Sequence, residues 1–301
     1  MNKGKSEHSD EVWPNFLIIG EPRSGTTSLH DWLSMHPDLY MSSVKEPHYF
    51  SSINFPKIEK QILHTTRSKR KYLSYFKDGA NKPFRGESST YYLSDPEAPR
   101  KIKKAIPDVK LIAVLREPVD RAFSHYLLYN RRGTQQQSFT DVVSENLKGK
   151  TNPAYDLVEL GRYYKHLKNY GKYFDNDQIL VVLFDDLKKE PRVVIKRVLD
   201  FLGADTRVVD SLNIKTASNA YAQPRNKLSN ALLSNRILTN IGLRIVPRPA
   251  LKKIRTKLLM SGKKPEIDKR AETTLIKVYR KQIDQLEVLL NQDCSSLRRV
   301  N

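Results

Sequence analysis

Phe16-Leu17-Ile18-Ile19-Gly20-Glu21-Pro22-Arg23-Ser24-Gly25-Thr26-Thr27-Ser28-Leu29 decides the fold of this chain. Four apolar residues run into a turn bracketed by Gly20 and Gly25, and a Ser/Thr cluster and an amphipathic stretch from Leu29 to Leu39 follow. That order predicts a buried strand, an anion-cradling loop and a helix. Backbone N–H groups at such a helix start face outward, and the helix dipole favours negative charge there. Gly20 and Gly25 have the spacing of a triphosphate-binding loop, but Thr26 stands where the lysine should follow. The cation sits inside the loop instead, at Arg23. The stretch therefore reads as P-loop-like, a site for a phosphorylated nucleotide that is not gripped as a triphosphate.

Val109 to Leu115 and Gln178 to Phe184 predict two more buried strands. Arg116-Glu117-Pro118 closes the first of these, and Pro118 suits the opening position of a helix over Val119 to Asn130. Further helices are predicted over Pro96–Ile106, Tyr155–Phe174 and Pro191–Leu202, the last closed by Gly203. Gly86 to Leu93 reads as a loop after a short strand, and 131–153 as a polar excursion. Strands alternating with helices predict an α/β fold with a parallel sheet and helices on both faces. In such sheets ligands sit at the carboxyl ends of the strands. Gly20–Leu29 and Arg116–Ser124 both begin at such ends, so they can share one site. The expected organisation is a polar tail over 1–14 and a single domain over 15–301. Within that domain, 206–265 is an irregular basic segment and 266–291 a closing helix.

The chain has 301 residues and a net charge of +20, which favours an anionic partner. Local clusters such as Arg67-Ser68-Lys69-Arg70-Lys71 also fit a solvated face. A single cysteine, Cys294, excludes an internal disulfide. The seven histidines show no ligand spacing, so no metal is expected. There is no apolar run near the length of a membrane span, no apolar core in Met1 to Glu11 and no N-glycosylation signal. A cytoplasmic, reducing location is the expectation.

Five segments in order resemble one family, the sulfotransferases that use 3′-phosphoadenosine 5′-phosphosulfate (PAPS), in the branch of bacterial and heparan-sulfate or related carbohydrate enzymes. Pro22 to Leu29 is similar to its 5′-phosphosulfate loop and Leu115 to Tyr126 to its 3′-phosphate element. Lys45-Glu46-Pro47-His48-Tyr49-Phe50 resembles the segment between them. Gly86-Glu87 before a Ser/Thr run, and Phe184-Asp185-Asp186-Leu187 before Glu190-Pro191, also match. The resemblance covers residues 15–203 well and the last helix weakly.

The resemblance implies PAPS as co-substrate, 3′,5′-adenosine bisphosphate (PAP) as product, and no metal. It implies that Arg23, Ser24, Gly25, Thr26, Thr27 and Ser28 hold the 5′ end, and that Arg116 and Ser124 hold the 3′-phosphate. Arg225 is a further cation for that phosphate. It also implies a general base at Glu46, with His48 as the rival, two residues on and on the same face if the segment is extended. Beside an anionic co-substrate and partly buried, Glu46 is expected to titrate above its usual range. Arg23 is the catalytic cation, standing where the carbohydrate branch usually carries Lys, and Ser88 stands where some heparan-modifying members carry Lys.

The implied activity is sulfuryl transfer to a hydroxyl or amine of a carbohydrate, glycolipid or other small hydroxyl compound, with peripheral contact to anionic surfaces and no nucleic-acid partner. Two other readings compete. A P-loop nucleotide kinase needs the missing lysine and a magnesium-binding acidic strand end, for which Asp185-Asp186 is the nearest candidate. A basic nucleic-acid-binding protein accounts for the charge but not for two phosphate loops.

Overall fold

The computed structural model describes residues 11–56, 63–131, 135, 137–149, 151–214, 223–224, 260–261 and 265–299. Its centre is a parallel sheet of five strands: β1 (Phe16–Gly20), β2 (Leu39–Met41), β3 (Phe84–Ser88), β4 (Lys110–Leu115) and β5 (Ile179–Leu183), in the spatial order β2-β3-β1-β4-β5. The near-continuous apolar runs of β1, β4 and β5 exist because both faces of the sheet are covered. Leu17, Ile19, Leu111, Ala113 and Leu115 face one core, and Phe16, Ile18, Ile112 and Val114 face the other.

The first core packs against α3 (Ala98–Ala105), α4 (Pro118–Arg131), α6 (Tyr163–Tyr170) and α9 (Lys269–Leu290), through residues such as Ile102, Ala122, Leu167 and Tyr279. The second packs against α1 (Thr26–Leu33) and α8 (Pro191–Leu202), through Leu29, Trp32, Val194 and Val198. The doubly covered α/β sheet is thus as expected. The chain leaves β1 for β2 and β3 on one side and later for β4 and β5 on the other, so β1 is the switch point where such sheets open a crevice.

Several local expectations are corrected. The helix after the first loop stops at Leu33 rather than reaching Leu39. There the ring of His36 accepts from the N–H of Asp38, Pro37 intervenes, and β2 starts at Leu39. The 131–153 excursion contains a helix, α5 (Phe139–Leu147), capped by Ser138 and burying Phe139, Val142 and Val143 on one stripe. The expected helix over Tyr155–Phe174 is broken: Asp156 caps the turn at Val158 and Glu159, and only Tyr163–Tyr170 is α-helical. The ring of Tyr279 fills the place of a side chain at Gly161, with an added Cβ only 2.6 Å from it.

Gly86 and Glu87 lie within β3, not in a loop. Gly86 is needed there because the ring of Phe16 lies 2.2 Å from where its Cβ would be. The packed chain also starts before residue 15, since Trp13 lies against Tyr49, Phe50 and Tyr72. Most of the 206–265 segment lies outside the described residues, and the closing helix runs over Lys269–Leu290 under a cap from Asp268. Among the described residues no helix is long and apolar enough to cross a membrane.

Candidate active site

The first loop turns on two left-handed residues, Arg23 (φ 73°) and Gly25 (φ 86°). Gly25 stands at the N-terminus of α1 with no side-chain cap, which leaves the first-turn N–H groups for a ligand. Gly25 is required on two counts: its φ, and the ring of Phe184 at 3.0 Å from an added Cβ. Ser24 is fully buried and its hydroxyl has no partner. A buried orphan hydroxyl beside an uncapped helix start fits a ligand rich in anionic oxygens. Thr26 is buried, Ser28 half-buried, and Thr27 and Arg23 exposed.

The second loop meets the first. Arg23 Nε donates to Ser124 Oγ at 3.2 Å, and Arg116 Nη1 donates to the carbonyl of Arg23 at 3.2 Å. The Arg116 guanidinium lies 4.9 Å over the ring of Phe184, and Tyr163 Oη donates to the Arg116 carbonyl at 2.8 Å. Asp120 is a distant ion-pair partner of Arg116, at 3.5 Å. Glu117 does not pair with Arg116. It caps α4, accepting from the N–H groups of Val119 and Asp120 at 2.8 Å each.

The Glu46 segment follows β2 and is anchored to the end of β3. Glu46 N–H donates to the Ser88 carbonyl at 2.9 Å. Its carboxylate accepts from the N–H of Thr90 at 3.0 Å, from the Thr90 hydroxyl and from Lys45 Nζ at 3.2 Å. The backbone is not extended, because Glu46 (φ 60°) and His48 (φ 47°) are both left-handed. The two side chains consequently meet: His48 Nε2 lies 2.9 Å from Glu46 Oε2. Neither ring nitrogen of His48 has a hydrogen-bond partner, so the contact is close but poorly directed.

The expected rise in the Glu46 pKa is also corrected. Burial pushes it up, but the His48 ring, Lys45 and the Thr90 N–H outweigh that and hold it at about 2. His48 itself is 1% exposed and packs among Phe55, Tyr91 and Tyr92.

Two residues given no role from the sequence, His30 and Glu87, tie this cluster to the loops. His30, on α1, lies with Nδ1 2.8 Å from Ser88 Oγ. Burial and the charge of Lys45 lower the His30 pKa to about 4. Glu87, one residue earlier on β3, is fully buried and accepts from Ser89 Oγ (2.7 Å), Tyr92 Oη (2.9 Å) and Tyr72 Oη (3.2 Å). Burial raises its pKa to about 7 despite these donors. Ser89 Oγ in turn accepts from His48 N–H, and Tyr92 Oη from Phe50 N–H. The sequence signal for Glu87 and Thr90 was the Ser/Thr run after Gly86, which names no role. Arg225 lies outside the described residues. Among the described residues no group of three or more His, Cys, Asp or Glu is placed to hold a metal.

A model of the sulfotransferase domain matches residues 14–286. The chain belongs to the sulfotransferase family. Mouse heparan sulfate glucosamine 3-O-sulfotransferase 3B1 is 30% identical over 202 residues, covering 65% of this chain and 48% of the relative. Mouse heparan sulfate glucosamine 3-O-sulfotransferase 6 is 31% identical over 202 residues, covering 66% and 54%. The chain thus spans about half the length of these curated relatives. Among solved structures, a sulfotransferase from Alicyclobacillus acidocaldarius superposes with a TM-score of 0.71 at 25% identity, over 96% of this chain and all of that one. Mouse sulfotransferase SULT7A1 complexed with PAP shares the fold, with a TM-score of 0.50 at 16% identity over 92% of this chain and 88% of that one. The family expected from the loop motifs is therefore the family found, and membership weighs against the kinase and nucleic-acid readings.

Proposed function

We propose that this sulfotransferase moves the sulfuryl group of PAPS to a hydroxyl of a carbohydrate acceptor. The observation that carries it is the joining of the two anion elements, with Arg23 bonded to Ser124 and Arg116 to the Arg23 carbonyl. A nucleotide phosphorylated at both ends of one nucleoside needs two linked anion sites, and a triphosphate does not. The likeness to heparan sulfate 3-O-sulfotransferases supports a sugar hydroxyl as acceptor.

The residues divide the work by chemistry. The N–H groups opening α1, with Ser24, Thr26, Thr27 and Ser28, hold the 5′ end, and Arg116 and Ser124 hold the 3′-phosphate. PAPS supplies an activated sulfuryl group on a good leaving phosphate. Arg23 neutralises charge growing on that phosphate, as a planar fork rather than a point donor. Glu46 takes the acceptor proton, ionised throughout the neutral range and oriented by Thr90 and Lys45. A base held this low is weak in the resting state. Its strength rises when an arriving acceptor displaces the Lys45 contact. His48, packed among rings, orients Glu46 rather than meeting the acceptor.

Titration calorimetry with 3′,5′-adenosine bisphosphate, with ATP and magnesium as competitor, tests the nucleotide half. Tight metal-independent binding that ATP does not displace is expected, and preference for magnesium-ATP sinks the reading. Transfer of labelled sulfate from PAPS to heparan-type oligosaccharides, against simple phenols and sterols, tests the acceptor half.

A further inference from the structure

The residues after α9 are not a loose appendage. Cys294 and Leu297 are buried, and Arg298 is held by Asp284 and Glu287 on α9. This packing delivers Arg299 to the first turn of α4, next to the proposed 3′-phosphate site. There Arg299 Nη1 lies 3.1 Å from Glu117 Oε2 and 3.1 Å from Asp120 Oδ1, while Nε bonds Glu272.

Two carboxylates, Glu117 just before α4 and Asp120 in its first turn, lie beside Arg116. Glu117 is committed to capping the helix. Asp120 faces Arg116 with its other oxygen, Oδ2, 3.5 Å from Arg116 Nη2. A carboxylate so placed opposes an incoming phosphate twice, by repelling it and by occupying guanidinium donors. Arg299 counters both effects, adding positive charge and drawing the Asp120 carboxylate from its far side. Burial pushes the Glu117 pKa up, and Arg299 is among the groups that pull it back.

We infer that Arg299 is a positioning residue for the 3′-phosphate, acting by neutralising and holding back Asp120 so that Arg116 keeps its donors for the nucleotide. This rests on the reading of Arg116 as the 3′-phosphate cation. A segment distant in sequence thereby sets discrimination between nucleotides with and without that phosphate.

The test is calorimetry on the full chain with two probes, 3′,5′-adenosine bisphosphate and adenosine 5′-phosphosulfate, the latter lacking the 3′-phosphate. Arg299→Gln is expected to weaken the bisphosphate about tenfold and the phosphosulfate less than about twofold. Adding Asp120→Asn to that variant is expected to restore bisphosphate binding to within about threefold of the parent, since the group that needed neutralising is gone. An unchanged Arg299→Gln, equal loss for both probes, or no recovery in the double variant overturns the inference. Where Arg299→Gln does not fold, Asp120→Asn alone decides: it tightens the bisphosphate and not the phosphosulfate, or the inference is wrong. Arg116→Ala separates the two readings. Equal loss of both probes in it overturns the Arg116 assignment and this inference together. Selective loss there, with Arg299→Gln inert, overturns only the inference.

Discussion

Arg23 Nε donates a hydrogen bond to Ser124 Oγ at 3.2 Å, closing one site across 101 residues of sequence. The bond joins the loop after β1 to the helix after β4, with Arg116 bonded to the Arg23 carbonyl as a second tie. In the proposed site, loss of either tie is expected to affect both ends of the nucleotide. Ser124→Ala is expected to weaken 3′,5′-adenosine bisphosphate about fivefold, one charge-assisted hydrogen bond, and to lower turnover because Arg23 loses its alignment. Calorimetry and steady-state kinetics check it together. Weaker binding with unchanged turnover would mean that Arg23 does not depend on Ser124.

The Glu46 cluster makes a different prediction. With its pKa held at about 2, Glu46 is ionised above pH 4 and is expected to contribute no acid limb to the pH–rate profile of the free enzyme there. Glu46→Gln is expected to cut turnover by on the order of a hundredfold or more while sparing bisphosphate binding. Lys45→Met removes one of the groups holding the pKa down and moves it up toward the usual carboxylate range. Full turnover in Glu46→Gln would remove Glu46 from the chemistry.

Much of this architecture is legible in the sequence because it rests on local rules. β1, β4 and β5 are unbroken apolar runs, and Gly25, Pro118 and Gly203 are punctuation with fixed conformational meaning. Arg23 and Arg116 approach each other because they follow the carboxyl ends of the neighbouring strands β1 and β4, and Ser124 reaches Arg23 from within α4. What stayed hidden depends on contacts distant in sequence. Within the broken 155–174 stretch, the close packing of the Tyr279 ring at Gly161 is a contact 118 residues away in sequence. The left-handed backbone at Glu46 and His48 is held by bonds to Ser88 and Ser89. The sign of the Glu46 shift turned on partners, Thr90 and a bent-back His48, that an extended segment would not supply.

Two of the left-handed glycines, Gly203 and Gly25, provide a matched pair. Gly203 (φ 84°) has nothing within 4 Å of an added Cβ, whereas Gly25 (φ 86°) meets the Phe184 ring at 3.0 Å. Gly203→Ala is expected to cost about 1 kcal/mol of stability, the left-handed penalty alone, with nucleotide binding intact. Gly25→Ala pays the same backbone penalty and in addition displaces Phe184, which underlies Arg116. Urea melts and bisphosphate titrations of both variants are the check. Only Gly25→Ala is expected to lose binding, by tenfold or more on the order expected for a displaced cation. Equal binding in the two variants would deny the Phe184 link.

Glu87 predicts how stability varies with pH. Its pKa, raised by burial to about 7, lies above the unfolded value near 4.5, so between those limits the folded state binds more protons than the unfolded state. Folding stability from this group is therefore fully present below pH 4.5 and is lost as pH rises through about 7, by roughly 3 kcal/mol in total. Glu87→Gln cannot ionise and lacks that slope. Unfolding in urea at pH 5 and pH 8 is expected to show the parent losing more stability than the variant over this interval. The comparison between variants cancels the slopes of all other groups that Glu87 does not touch. Parallel slopes would mean that the Tyr72, Tyr92 and Ser89 hydroxyls already hold the Glu87 carboxylate ionised at pH 5. The buried anchor of the His48 turn would then be a permanent charge rather than a protonated acid at the low end of this range.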